Sequence, residues 1–421
     1  MKRRSIYVLL FVVLPILFLS ACSKKEENKT TKKVFYPKEY SLSLTVKNKG
    51  NLNDSLIAAN LDSAFYSLSV KPSDKIKNRF AVRVDSISSY DAAWMQGFHF
   101  SEYFKLKDIN IFKNKIKQEE KYREFYFVGD YLGRAALYSM DLFTRKTNLV
   151  WSRWGKPILK LFRQNESGGV YFTVAQKLSR RGGFPSIRRA QLFLFQKEKM
   201  SVRRIDYYGN GMQLKAGWIS PNLFNTQFLL LDSLTNADVI KRTSDYDAAG
   251  NLLDTLTEKI ALMSVSFKEK APELKFEADS KKIMIKFRER EDTAIASVVD
   301  FLKGLKTDVF EFKGKIISTK WSGDENYFLM TTVDSVQTPA DSVKRSVRNL
   351  FVVNLRNHKL LTVISGNLDE YLFHGKILVY DCWINGVKNI TFYDLMRREE
   401  IMTLNFEGGC GINSILNFNN L

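Results

Sequence analysis

The chain has 421 residues, 45% of them hydrophobic, with 65 Lys and Arg against 45 Asp and Glu and a net charge of +20. Apolar content at that level excludes a largely disordered chain, and the length suits two or three small domains or one large repeat domain. Three cysteines are too few for a disulfide scaffold, so the fold must be held by burial.

The chain opens MKRRSIYVLLFVVLPILFLSAC, with Lys2, Arg3 and Arg4 as a basic segment, residues 6–19 as an apolar run, and small residues before Cys22. That is the layout of a secretory signal peptide over residues 1–21. The apolar run falls short of the roughly 20 residues a spanning helix requires, which favours cleavage over retention. Leu19-Ser20-Ala21-Cys22 resembles the lipobox of bacterial lipoproteins. The resemblance implies cleavage before Cys22, palmitate-type acylation of its thiol and often of the new amine, and a protein anchored to a membrane without spanning it. Ser23-Lys24-Lys25-Glu26-Glu27 resembles the Lys-plus-acidic signals that send some Gram-negative lipoproteins to the outer face of the outer membrane, although any polar tether reads alike. Residues 22–36 are expected to be a lipidated flexible tether.

Taking the three basic residues of the signal from 65 leaves 62 against 45 acidic, a mature charge of +17. The excess points to anionic partners: membrane phosphates or acidic glycans. Export and the lack of a nucleic-acid-binding motif argue against nucleic acid.

Residues 37–105 contain strand-like pieces such as YSLSLTV and NRFAVRVDS, expected to be N-terminal strands, a cap over one end of a ring, or a further blade. The charged stretch 110–123 reads as a helix or a loop insertion. From about 124 onward, short continuous apolar runs recur, among them 125–128, 192–195, 283–287, 350–353 and 390–393. Such runs, bounded by Gly, Asn, Asp and Lys, read as strands buried on both faces. Six segments share a strand-turn-strand pattern. Aligned on Asp141, Gln196, Asp245, Asp300, Asn354 and Asp394, they lie 55, 49, 55, 54 and 40 residues apart, the length of a four-stranded propeller blade.

ISTKWSGDENYFLMTTV, residues 317–333, resembles the strand-turn-strand element W-S-x-D-G-x-x-I-x-F of TolB-like β-propellers through Trp321, Ser322, Asp324 and Phe328, with the turn glycine displaced to Gly323. The resemblance covers about 120–410 and implies an all-β fold, a propeller of six blades or seven, with the repeated blades over 106–421. It brings no catalytic residue. APELKFEADSKKIMIKF at 271–287 is a looser copy, and the segment 293–305 also fits a helical face, which would dissolve the fourth blade. A propeller must close its ring to remove exposed sheet edges. Residues 411–418 are therefore expected to pair near 95–130.

Chemical motifs are sparse. His99, His358 and His374 show no zinc-ligand spacing, and no nucleotide-binding or hydrolase-elbow motif occurs, so no metal or cofactor is expected. The carboxylate pairs Glu119/Glu120 and Glu399/Glu400 are sequence neighbours and would diverge on a strand. Cys382 and Cys410 are either a disulfide or two buried thiols. Residues 177–189 gather Arg180, Arg181, Arg188 and Arg189 around Gly182-Gly183-Phe184, a candidate grip for phosphate or carboxylate as well as an ordinary charged hairpin. Trp151, Trp154, Trp218, Trp321 and Trp383 read as blade-packing aromatics ahead of sugar platforms. The reading is an anchored envelope lipoprotein, at the outer membrane, whose propeller binds envelope proteins or anionic glycan. A glycan-active enzyme in the channel is the alternative, and a basic surface resting on anionic lipid is a third reading.

Overall fold

The computed structural model describes residues 39–415 apart from 48–66, 73–78, 88, 104–105, 119–121, 164–168, 176, 182–183, 221, 231–237, 262–275, 279–282, 291–292, 323–325, 338–343 and 396. Residues 1–38, with the expected signal, Cys22 and the expected tether, lie outside the described residues. Among those described, no helix is long and apolar enough to cross a membrane.

The first strands, β1 (Tyr40–Lys47), β2 (Ser67–Pro72), β3 (Arg79–Ile87), β4 (Leu106–Lys113) and β5 (Ile116–Lys117), form one antiparallel sheet in the order β2-β3-β1-β4-β5. The boundary expected at 105/106 thus falls inside this sheet. Over its described residues 110–118 the charged stretch is a hairpin and not a helix: Asn114 and Lys115 both take positive φ (48° and 69°), the two-residue turn that joins β4 to β5. One helix, α1 (Tyr90–Tyr103), packs Ala93, Trp94 and Phe98 onto Leu42, Leu44, Val82 and Ile109. Ser89 starts it, its Oγ accepting the Ala92 N–H at 3.1 Å.

The remaining described strands make six four-stranded antiparallel units. The first comprises β6 (Glu124–Asp130), β7 (Ala135–Asp141) and β8 (Lys146–Trp151). The second has β9 (Ile158–Arg163), β10 (Gly169–Val174), β12 (Phe184–Gln196) and the first half of β13 (Ser201–Ser220), with β11 (Lys177–Arg181) paired to the start of β12. The third begins with the second half of β13 and adds β14 (Leu223–Leu230), β15 (Asp238–Tyr246) and β16 (Leu252–Ala261). The fourth is β17 (Phe276–Ala278), β18 (Ile283–Arg290), β19 (Thr293–Asp300) and β20 (Leu305–Phe312); the fifth, β21 (Lys315–Trp321), β22 (Tyr327–Gln337), β23 (Lys344–Asn354) and β24 (Lys359–Gly366). The sixth is β25 (Leu368–His374), β26 (Ile377–Ile384), β27 (Val387–Asp394) and β28 (Glu399–Leu404). Residues 293–300 are a strand, and the fourth unit stands.

Units two and three share β13 because Gly211 pairs with Ile187 on one side and Leu230 on the other; a Cβ there would run into the Leu229 carbonyl and the Phe228 ring.

Alternation along the second and third strands explains the continuous apolar runs. In β6, Phe125 and Phe127 join Ile377 and Phe392 of unit six, while Tyr126 and Val128 join Leu161 and Phe172 of unit two. Tyr171 and Leu192 likewise meet Phe224 and Phe228, Val298 meets Phe328 and Phe351, and Val352 meets Leu378 and Tyr380. Both faces of a blade are therefore core.

In five units the third strand ends at the aligned position and a four-residue turn follows. Asp141 Oδ1 accepts the N–H groups of Phe143 and Thr144, both at 2.9 Å; Asp300 Oδ1 accepts those of Leu302 and Lys303, Asn354 that of Arg356, and Asp394 that of Arg397. The fourth turn residue, Arg145, Met200, Gly304, His358 or Arg398, has positive φ. In unit three the strand ends at Tyr246 with Gly250 at positive φ, and Asp247 caps the turn instead, so Tyr246 is the true equivalent, one residue beyond Asp245.

The ring closes through β29 (Cys410–Gly411), which pairs with Gly129 and Val128 of β6 one residue before the expected span. Arg163 fastens it: Nε donates to the Tyr126 carbonyl at 2.7 Å, Nη2 to the Ile412 carbonyl and to Asn413 Oδ1. From unit six, Asp381 Oδ1 accepts the Ile412 N–H and the buried Lys388 donates to the Ser414 carbonyl. First strands face one another and fourth strands face solvent, the arrangement of a β-propeller.

Candidate functional site

Because the strands alternate in direction, connections between second and third strands and between consecutive units emerge at one end of the ring. At that end lie the connection after β6, the one from β8 to β9, and the β11–β12 hairpin. Trp154, in the β8–β9 connection, is 82% exposed, and the Arg134 guanidinium stacks 4.3 Å from its ring centre. It is the exception among the tryptophans: Trp151 packs on Phe172 and Phe193, Trp218 on Tyr171 and Phe224, Trp321 on Phe328, and Trp383 lies beneath Lys388.

Two residues on, Lys156 Nζ donates to Gln191 Oε1 at 3.1 Å, and Gln191 pairs with the exposed Tyr207. Burial lowers the Lys156 pKa, and so do the charges of Arg153, Arg204 and Arg189, with no carboxylate among the groups that act on it. The charges that act on Lys156 are positive. Such cations beside an open indole suit a planar or sugar-like face that carries anionic groups.

The structure brings one of the four predicted arginines into this group. Arg189, exposed and at positive φ, sits on a strand bend whose N–H donates to Asn210 Oδ1 at 3.1 Å. Arg188 is exposed and pairs in register with Lys177, while the side chains of Arg180 and Arg181, with Gly182 and Gly183, lie outside the described residues. Sequence reasoning missed Arg134, Arg153, Lys156 and Arg204. The run Arg153-Trp154-Gly155-Lys156 before Pro157 was the available signal.

A second polar group occupies the axis. Lys160 from β9 lies 3.7 Å from Glu370 on β25, whose Oε2 accepts from Asn413 Nδ2. Lys320 from β21 stands 4.9 Å over the Tyr371 ring, and Ser318 bonds the Tyr371 hydroxyl at 2.9 Å. Lys320 is open to water yet ringed by protein; burial lowers its ammonium pKa, Glu370 opposes that and Lys160 adds to it. Asp381 nearby is fully buried, and burial raises its carboxyl pKa well above the usual range against the pull of Lys388.

The histidines serve the core. His99 Nε2 meets Asp394 Oδ2 at 2.7 Å, both buried, which docks α1 on unit six; His358 approaches Asp300 at 3.5 Å across two units; His374 Nε2 donates to the Tyr122 carbonyl. Among the described residues, no three His, Cys, Asp or Glu side chains gather as metal ligands. Cys382 and Cys410 are free thiols, and burial pushes Cys410 up to about 12. Glu399 and Glu400 diverge: the first approaches Arg397, the second accepts from the Tyr380 hydroxyl. Glu119 and Glu120 lie outside the described residues.

No family model matches the chain, and no curated protein matches it. Among solved structures, TolB from Acinetobacter baumannii is similar at TM-score 0.41 and 13% identity, over 83% of this chain and 81% of that one. A chain from a nidogen/laminin complex is similar at TM-score 0.34 and 10% identity, over 68% and 97%. An oligogalacturonate lyase in complex with manganese is similar at TM-score 0.31 and 8% identity, over 66% and 73%. The propeller fold stands on strand order and packing, independently of these likenesses.

Proposed function

We propose that the protein is an envelope lipoprotein, anchored through Cys22 at the outer membrane, whose propeller is a binding module for an anionic partner of glycan type. The observation that carries this is the Arg134–Trp154 stack, two residues from Lys156, on which the charges of Arg153, Arg204 and Arg189 act. An indole offers a sugar ring a flat apolar face, and arginine forks match its carboxylate, sulfate or phosphate groups.

The glycan-active alternative is the weaker one. Glycoside cleavage commonly uses two accessible carboxylates about 5–9.5 Å apart. On the axis Glu370 is reachable, but Asp381 is sealed, and Asp369 is held by Lys388 and Arg348. Burial raises the Tyr371 pKa, the wrong direction for a base.

The test is recovery of the intact protein from gently solubilised envelopes, with bound glycan and proteins identified. Wild type should retain an acidic glycan in a salt-sensitive manner, and a Trp154→Ala, Arg134→Ala double variant should retain at least tenfold less while staying in the membrane fraction. Equal retention by both would sink the assignment of the face. Cys22→Ala should abolish lipid attachment, and a Cys22→Ala variant that stays in the membrane fraction would sink the anchor.

A further inference from the structure

At the opposite end of the ring, where third strands turn into fourth strands, units four and five leave an open cavity of about 400 Å³ between their neighbouring turns. That volume lies within the range of about 300–1,000 Å³ typical of small-molecule sites. Its apolar walls are Ile283 at the start of β18, Leu302 in the β19–β20 turn and Leu355 in the β23–β24 turn. Ile283 and Leu355 are buried, whereas Leu302 and its neighbour Phe301 are exposed and form an open lip.

The polar groups are unequal. Lys303 lies 3.2 Å from Asp300 Oδ2, so its charge is answered within the cleft. Arg356 is oriented by its Nε, which donates to Oδ1 of the neutral Asn326 at 2.9 Å. Among the described residues the Arg356 guanidinium meets no carboxylate, and its two terminal nitrogens hold no acceptor. Among the described residues the cavity therefore carries one uncompensated positive charge, on a group already fixed in place, beside three apolar side chains. A guanidinium held by Nε keeps the planar Nη pair that matches a carboxylate.

We infer that this cleft between units four and five is a binding site for a small amphipathic monoanion, a carboxylate bearing a short apolar chain, with Arg356 taking the carboxylate and Ile283, Leu302 and Leu355 the chain. Phosphate alone would forgo the apolar walls, and a neutral alcohol would leave the guanidinium unanswered. The site is separate from the Trp154 face and does not depend on the proposed glycan partner.

The experiment uses the full-length chain in lipid nanodiscs, with empty nanodiscs as blank, and a trifluoromethyl-labelled hexanoate observed by fluorine NMR. Saturable line broadening above the blank is expected. Arg356→Ala should weaken binding about tenfold, the loss of one charge-assisted contact of about 1.4 kcal/mol, and Arg356→Lys by less. Leu302→Asp, on the exposed lip where folding is least at stake, should weaken it comparably. Inorganic phosphate and the matching neutral alcohol should compete poorly. Broadening no greater than the blank, undiminished binding by a folded Arg356→Ala protein, or competition by phosphate as strong as by unlabelled hexanoate would each overturn the assignment.

Discussion

Burial disfavours the charged form of His374, and Arg163 adds to this while the Tyr122 carbonyl opposes it; together they bring its pKa from 6.5 to about 4. In that window the unfolded chain binds the proton and the folded one does not. Stability should therefore fall as pH drops from about 6.5 towards about 4, and a His374→Gln variant should lose that slope between its urea midpoints at about pH 7 and about pH 5. An unchanged slope would place the acid sensitivity elsewhere. At this scale the sequence was informative where identity alone decides, as with the isolated histidines and the diverging Glu399 and Glu400. It misled at Trp154, because whether an indole packs or projects depends on its place in a connection, and Trp151, three residues earlier on β8, is packed.

The repeated turn is what the aligned positions encode. Asp141 Oδ1 holds two backbone N–H groups and Oδ2 holds Arg123 Nε at 2.7 Å. Asp141→Ala should cost about 1–2 kcal/mol in the denaturant midpoint with the slope unchanged, and Asp300→Ala in another unit should add to it within about 0.5 kcal/mol. Strong non-additivity would mean that the turns are coupled through the ring. This period was legible because a side chain that caps a turn must recur at a fixed place, and it slipped by one in unit three because Asp245 and Asp247 flank the true position, Tyr246. The helix α1 was not anticipated, although Ser89 and Asp91 mark its start; its buried Trp94 and Phe98 read equally well as strand residues. The hairpin at Asn114-Lys115 was hidden by charge, because its two positive-φ residues lack the glycine that usually advertises such a turn.

For the molecule as a whole, closure is a matter of a two-residue ladder reinforced by side chains. Arg163→Ala would leave the Tyr126 and Ile412 carbonyls without their donor, and should cost about 3 kcal/mol and speed amide exchange over 410–415 ahead of the other units. Exchange unchanged there would show that β29, Asp381 and Lys388 hold the ring without it. The need for closure was readable, since a propeller cannot leave its sheet edges open. The partners that supply it come from units far apart in the chain, and no local pattern names them. One consequence follows from β13, which runs from the rim of unit two to the axis of unit three. Elsewhere around the ring a connection separates one unit from the next, a natural place for an insertion or for new chain ends. Between units two and three there is none, so for anyone rearranging this protein, or for evolution duplicating its parts, those two units are a single inheritable piece.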